Sequence, residues 1–131
     1  MLVGPAAGGK TTCTAALQDA LTALHEEESE DETHQLVHVQ VINPKCLTLG
    51  ELYGEYNEAT QEWRDGVGSN AIRNATAEAQ DSYDWRWVVF DGPVDALWIE
   101  SMNTVLDDNK TLCLANAERI KLSDQLRMCV P

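Results

Sequence analysis

Gly4-Pro5-Ala6-Ala7-Gly8-Gly9-Lys10-Thr11 decides the fold of this chain. The octet matches G-x-x-x-x-G-K-[ST] in full. It follows Met1-Leu2-Val3, the tail of an apolar run, and opens a segment with helical spacing, the setting this motif requires. Glycines let backbone N–H groups turn inward around phosphate oxygens with no Cβ in the way. The first turn of the following helix adds unpaired N–H donors and a partial positive charge. Gly4, Pro5, Ala6, Ala7, Gly8 and Gly9 are therefore expected to form a phosphate cradle, with Lys10 reaching the β- and γ-phosphates. The Thr11 hydroxyl is expected to bind Mg²⁺, and Thr12 joins the binding set. The expected cofactors are ATP and Mg²⁺.

A nucleotide site of this type needs a second element, an acid at the end of a buried strand. Val88-Val89-Phe90-Asp91 supplies it. The Asp91 carboxylate would hold the magnesium through the metal's water shell. Alone, four apolar residues and an Asp say little. In this order after the glycine-rich loop, they point to a P-loop nucleotide-binding fold. Gly92 comes next. Hydrolysing modules of the AAA+ class usually place Glu there to polarise the attacking water. Glycine can neither orient water nor take up a proton. General-base help is worth roughly 10²–10⁴ in rate, or about 3–5 kcal/mol of barrier. Asp95 is near in sequence but falls at the first turn of the next helix, a poor place for a substitute base. No catalytic residue is expected, and the site should bind Mg-ATP with little or no hydrolysis.

The rest of the chain alternates. Thr11 to His25 reads as a helix with Ala15, Leu17, Leu21 and Leu24 as its apolar positions. Glu26 to Glu32 is nearly all acid and reads as a solvated loop. Leu36 to Ile42 reads as a buried strand, closed by Asn43-Pro44. Thr48 to Tyr53 suggests a short helix, and Tyr56 to Trp63 a small hairpin around Asn57. Val67 to Asp81 is helix-like, Trp85 to Phe90 is the second strong strand, and Val94 to Leu106 reads as a helix. Leu112-Cys113-Leu114 and Ile120-Lys121-Leu122 flank a polar turn, the pattern of a second hairpin. Leu126 to Val130 begins a further strand. This order predicts an α/β fold with a parallel sheet and flanking helices.

Composition narrows the function. The chain has 131 residues, one domain's worth, and nine Lys and Arg against 22 Asp and Glu give a net charge of −13. Such a surface repels phosphate backbones, so no nucleic-acid partner is expected. No stretch approaches the ~18 uncharged apolar residues of a membrane span, and no membrane partner is expected. Cys13, Cys46, Cys113 and Cys129 form no CxxC pair and read as reduced thiols, with Cys13 packed beside the loop. His25, His34 and His38 have no metal-ligand spacing. Trp63, Trp85, Trp87 and Trp98 read as core or domain contacts. Asp107-Asp108-Asn109 reads as a polar helix end, lacking the glycine and distal Glu of a calcium loop.

The stretch Phe90-Asp91-Gly92-Pro93-Val94-Asp95-Ala96-Leu97-Trp98-Ile99-Glu100-Ser101-Met102-Asn103-Thr104-Val105-Leu106 through Lys110 resembles the dynein heavy chain family, specifically the second AAA+ module of its motor ring. Asn43-Pro44-Lys45, Leu52-Tyr53-Gly54-Glu55, Glu62-Trp63-Arg64-Asp65-Gly66 and Leu112 through Ile120 match in the family's order. The likeness is closer to axonemal than to cytoplasmic heavy chains. It implies one partial AAA+ P-loop domain over residues 1–131, truncated at both ends, with the two hairpins as the family's insertions. It also implies the neighbouring AAA+ modules and linker of the same heavy chain as partners. Dynein intermediate and light intermediate chains and microtubules follow as partners of the parent motor, whose movement is minus-end-directed. The implied location is the cytoplasm and cytoskeleton, in the axoneme of a cilium. The alternative is an independent small P-loop nucleotide or metabolite kinase. That reading needs a basic clamp on the transferred phosphoryl group, and Arg64, Arg73, Arg86, Arg119 and Arg127 form no lid-like cluster in sequence.

Overall fold

The computed structural model describes residues 4–5, 7–27, 35–106 and 108–129. Met1-Leu2-Val3, Ala6, Glu28 to Glu32 of the acidic run, His34, Asp107 and Val130, all named above, lie outside the described residues. The first helix, α1 (Lys10–Glu27), extends into the acidic run as far as Glu27. β1 (Val37–Ile42) follows, then a 3₁₀ turn at Pro44–Cys46 and the short helix α2 (Leu49–Tyr53). Thr48 caps α2 through a reciprocal pair. Its hydroxyl accepts from the Glu51 N–H at 3.2 Å, and the Glu51 carboxylate accepts from the Thr48 N–H at 2.9 Å.

A hairpin, β2 (Gly54–Tyr56) and β3 (Trp63–Asp65), leads into α3 (Val67–Glu78). Its strands pair two residues outside the expected start and end, because residues 57–62 form the turn. The Asn57 carboxamide organises that turn by accepting from the Ala59 and Thr60 N–H groups. β4 (Trp85–Phe90) is followed by α4 (Ala96–Ile99), a 3₁₀ turn at Glu100–Met102 and α5 (Asn103–Leu106). The single helix expected there is interrupted for an identifiable reason. The Tyr53 hydroxyl donates to the Trp98 carbonyl at 2.5 Å, the acceptor that a continuous helix would offer to the Met102 N–H. A second hairpin, β5 (Thr111–Cys113) and β6 (Arg119–Lys121), precedes β7 (Leu126–Cys129).

The described part of the main sheet runs β1-β4-β7, all parallel, so the α/β expectation holds. Val37 pairs with Trp85 through to Ile42 with Phe90, and Arg86 pairs with Leu126 through to Val89 with Cys129. One core fills the space between sheet, α2, α3, the α4–α5 segment and the second hairpin. Phe90, Val88, Ile72, Leu52, Met102 and Leu112 are its most enclosed side chains. The second hairpin is part of this core, because Leu112, Leu114, Ile120 and Leu122 all turn inward.

Three expectations about burial need correction. α1 forms but buries none of its residues; Leu17 and Leu24 remain exposed. It is tied to the sheet by a hydrogen bond from Gln18 Nε2 to the Val37 carbonyl at 2.9 Å. β1 is only partly buried: Val37 and Ile42 are enclosed, while Val41 is 61% exposed. β1 borders the described sheet on one side, so half of its residues meet solvent. Cys13 is likewise exposed, not packed beside the loop.

Candidate functional site

Parallel strands carry their loops away at the same end, and that end is where α/β sheets bind ligands. Here the ends of β1 and β4 coincide. The Asp91 N–H donates to the Ile42 carbonyl at 2.9 Å. This sets Asn43-Pro44 beside Asp91-Gly92. Asp91 is exposed there, and no ion pair among the described residues engages its carboxylate.

The glycine-rich loop enters α1 through a backbone only a few residue types tolerate. Ala7 has φ 61° and Gly9 has φ 79°, both left-handed. The Gly8 N–H donates to the Pro5 carbonyl at 3.1 Å, closing the loop, and the Cys13 N–H begins the helical ladder on the Gly9 carbonyl at 2.9 Å. The amides of Lys10, Thr11 and Thr12 precede that first bond and have no acceptor within the helix. Lys10 folds back over the loop, with its ammonium donating to the Gly4 and Pro5 carbonyls at 2.8 Å each. Thr11 and Thr12 are exposed at the same end of α1.

The donor set fits a magnesium-bound polyphosphate. It combines an ammonium, a helix N-terminus of eighteen residues, a free hydroxyl and a carboxylate at a strand end. When bound, the metal would offset the charge of the phosphates. Lys10, Thr11 and Thr12 would hold the phosphates and the metal, and Asp91 the metal's water shell. Among the described residues no hydrogen bond or ion pair joins the loop to Asp91, so the two halves are not locked together.

Gly92 sits in tight surroundings. A Cβ built there would stand 3.1 Å from Pro44 Cδ and 3.3 Å from Asn43 Oδ1. Pro44 is buried and its ring is rigid, so a side chain at this position has to push it aside. Asp95 is occupied elsewhere. Its carboxylate accepts from the Leu97 N–H at 3.0 Å, capping α4, and pairs with the Lys45 ammonium at 3.2 Å. The bond from the Leu97 amide, then the bond from Lys45, hold the Asp95 carboxyl below its ordinary range. A carboxylate so held is a weak base. Lys45, Asn43 and Pro44 were not singled out as site residues by motif reading. Asn-Pro after a strand signals a turn, but nothing local reveals a partner fifty residues away.

The arginines are also placed. Arg73 binds Asp65 and Glu118, Arg86 binds Glu78, and the Arg127 guanidinium lies 4.4 Å from the Trp85 ring centre. Among the described residues no cluster of His, Cys, Asp and Glu could hold a metal by itself, and no helix is long and apolar enough to cross a membrane.

Comparison with known proteins supplies the decisive observation. Human dynein axonemal heavy chain 6 is 53% identical over 128 residues, 98% of this chain. The chain belongs with the dynein heavy chains. Human dynein axonemal heavy chain 1 is 50% identical over 129 residues, 98% of this chain. The flagellar inner arm I1 dynein-1-beta heavy chain of Chlamydomonas reinhardtii is 47% identical over 123 residues, 94% of this chain. The chain spans about 3% of the length of each of these relatives. No family model matches it. The α/β architecture with its parallel sheet and flanking helices is that of part of an AAA+ module in such a heavy chain.

Proposed function

We propose that residues 1–131 are the nucleotide-binding core of the second AAA+ module in an axonemal-type dynein heavy chain, and that the module binds Mg-ATP without efficient hydrolysis. Lys10 and Thr11 contact the phosphates and the metal, Thr12 extends the helix end, and Asp91 holds the metal's water shell. The parent protein is a minus-end-directed microtubule motor of the axoneme. Its partners are neighbouring AAA+ modules, the linker, intermediate and light intermediate chains, and microtubules. This chain contributes binding, not turnover.

The observation that carries the reading is the absence of a side chain at Gly92, in a tight fit against Pro44 and Asn43. The position that would hold a water-activating side chain has none, a Cβ there would sit tightly against Pro44 and Asn43, and the nearby Asp95 is tied to Leu97 and Lys45. The independent-kinase alternative finds no support in Arg73, Arg86 and Arg127, which serve structural contacts. The test is single-turnover ATP hydrolysis by the intact protein, with and without Asp91→Ala. The rate should not change. A fast phase abolished by Asp91→Ala would overturn the proposal.

A further inference from the structure

The two hairpins are separated by about fifty residues of sequence, yet one side chain holds both. Arg73, on α3, presents two edges of its guanidinium. The terminal edge takes the Asp65 carboxylate, with Nη1 to Oδ2 at 2.9 Å and Nη2 to Oδ1 at 3.1 Å. The side edge takes the Glu118 carboxylate, with Nε to Oε1 at 3.2 Å and Nη2 to Oε2 at 2.9 Å. Asp65 closes β3 at the base of the first hairpin, and its Oδ1 also accepts from the Trp63 indole N–H at 2.8 Å. Trp63 in turn meets Tyr56 edge-on across the hairpin, with ring centres 5.1 Å apart. Glu118 sits in the turn of the second hairpin, where its own N–H donates to Asn116 Oδ1 at 3.0 Å and its carbonyl accepts from the Leu114 N–H at 2.9 Å.

We propose that Arg73 couples the two hairpins into one mechanical unit, so that displacing or loading either hairpin changes the stability of the other. A planar guanidinium that offers separate edges to two carboxylates is ordered once for both bonds. When one carboxylate has fixed its plane, the second loses less freedom on binding, and the coupling is favourable. Repulsion between Asp65 and Glu118 acts against this. It is offset because each carboxylate lies against the shared cation. The inference does not depend on nucleotide binding at the loop.

Coupling of this kind is reciprocal, which makes it testable in the intact protein by hydrogen exchange read on peptides. Asp65→Asn should accelerate exchange in residues 111–122, the hairpin it does not belong to. Glu118→Gln should accelerate exchange in residues 54–65. The expected factor is about fivefold each way, equivalent to roughly 1 kcal/mol between residues of one network. Arg73→Met should do both, and so should Arg73→Lys, which keeps the charge but has no second edge. Exchange in β1 and β4 should stay unchanged. Acceleration confined to the mutated hairpin, acceleration spreading equally into β1 and β4, or full rescue by Arg73→Lys would each overturn the proposal.

Discussion

Trp98 ties the candidate site to the core, and truncating it in two steps separates its contributions. The side chain is 3% exposed and lies nearly parallel to Phe90, with ring centres 5.5 Å apart and 15° between planes. Its indole N–H donates to the Pro93 carbonyl at 3.2 Å, which anchors the Asp91-Gly92-Pro93 turn. Trp98→Phe keeps an aromatic ring over Phe90 but loses that bond and part of the packed volume. The bond is worth about 1 kcal/mol net, and the void adds a comparable amount, so the total cost is about 2 kcal/mol. Trp98→Ala removes the stack as well and should cost about 3–5 kcal/mol. For a chain of this size each kcal/mol lowers the melting temperature by about 4 °C. The two variants should therefore melt about 8 °C and about 12–20 °C below the wild type. The assay is thermal and urea unfolding of the 131-residue chain followed by far-ultraviolet circular dichroism, with the urea slope checked for constancy. Equal losses for Phe and Ala would show that the indole bond, not the stack, carries the stability. A loss under about 1 kcal/mol for Ala would show that Trp98 is not the anchor described.

Three further outcomes follow. Gly66→Ala should cost more than the roughly 1–3 kcal/mol of ordinary overpacking, because its Cβ would collide with the backbone of Leu52 and Gly54; urea unfolding measures the loss. Thr48→Ala removes the cap of α2 and should destabilise the chain by about 1 kcal/mol, with faster amide exchange in residues 49–53. Asp65 is held below its ordinary value of 3.8 by its bonds from Arg73 and then Trp63. A lowered folded-state value stabilises the chain above 3.8 and loses that contribution as pH falls through the folded value. A pH series of melts should therefore show a loss at acid pH that is smaller in Asp65→Asn.

The sequence announced its strongest features wherever chemistry is local. The octet at Gly4–Thr11 named a loop and a helix start, because the turn and its lysine are consecutive in the chain. Trp85–Phe90 named a strand. The hairpins were visible as apolar pairs around polar turns. Other features depended on residues far apart. Periodicity along α1 marks the face that could be buried, but it cannot say whether anything covers it, and Leu17 is in fact 52% exposed. The break between α4 and α5 comes from Tyr53, which takes the Trp98 carbonyl from forty-five positions upstream. The closeness of Pro44 to Gly92 and the pairing of Lys45 with Asp95 arise from the β1–β4 register. The Arg73 junction likewise needs the fold to bring Asp65 and Glu118 together.

The loop at Gly4–Thr11, read as a working phosphate site, should gain stability from its ligand. The most direct measurement is a thermal melt of the chain with and without Mg-ATP, for wild type and Lys10→Ala. Ligand at about 100 times its dissociation constant adds roughly 2.7 kcal/mol, which is a rise of about 10 °C at this size. That rise is expected in the wild type, and its loss in Lys10→Ala. A cooperative melt with no rise, or an equal rise in both proteins, would contradict that reading.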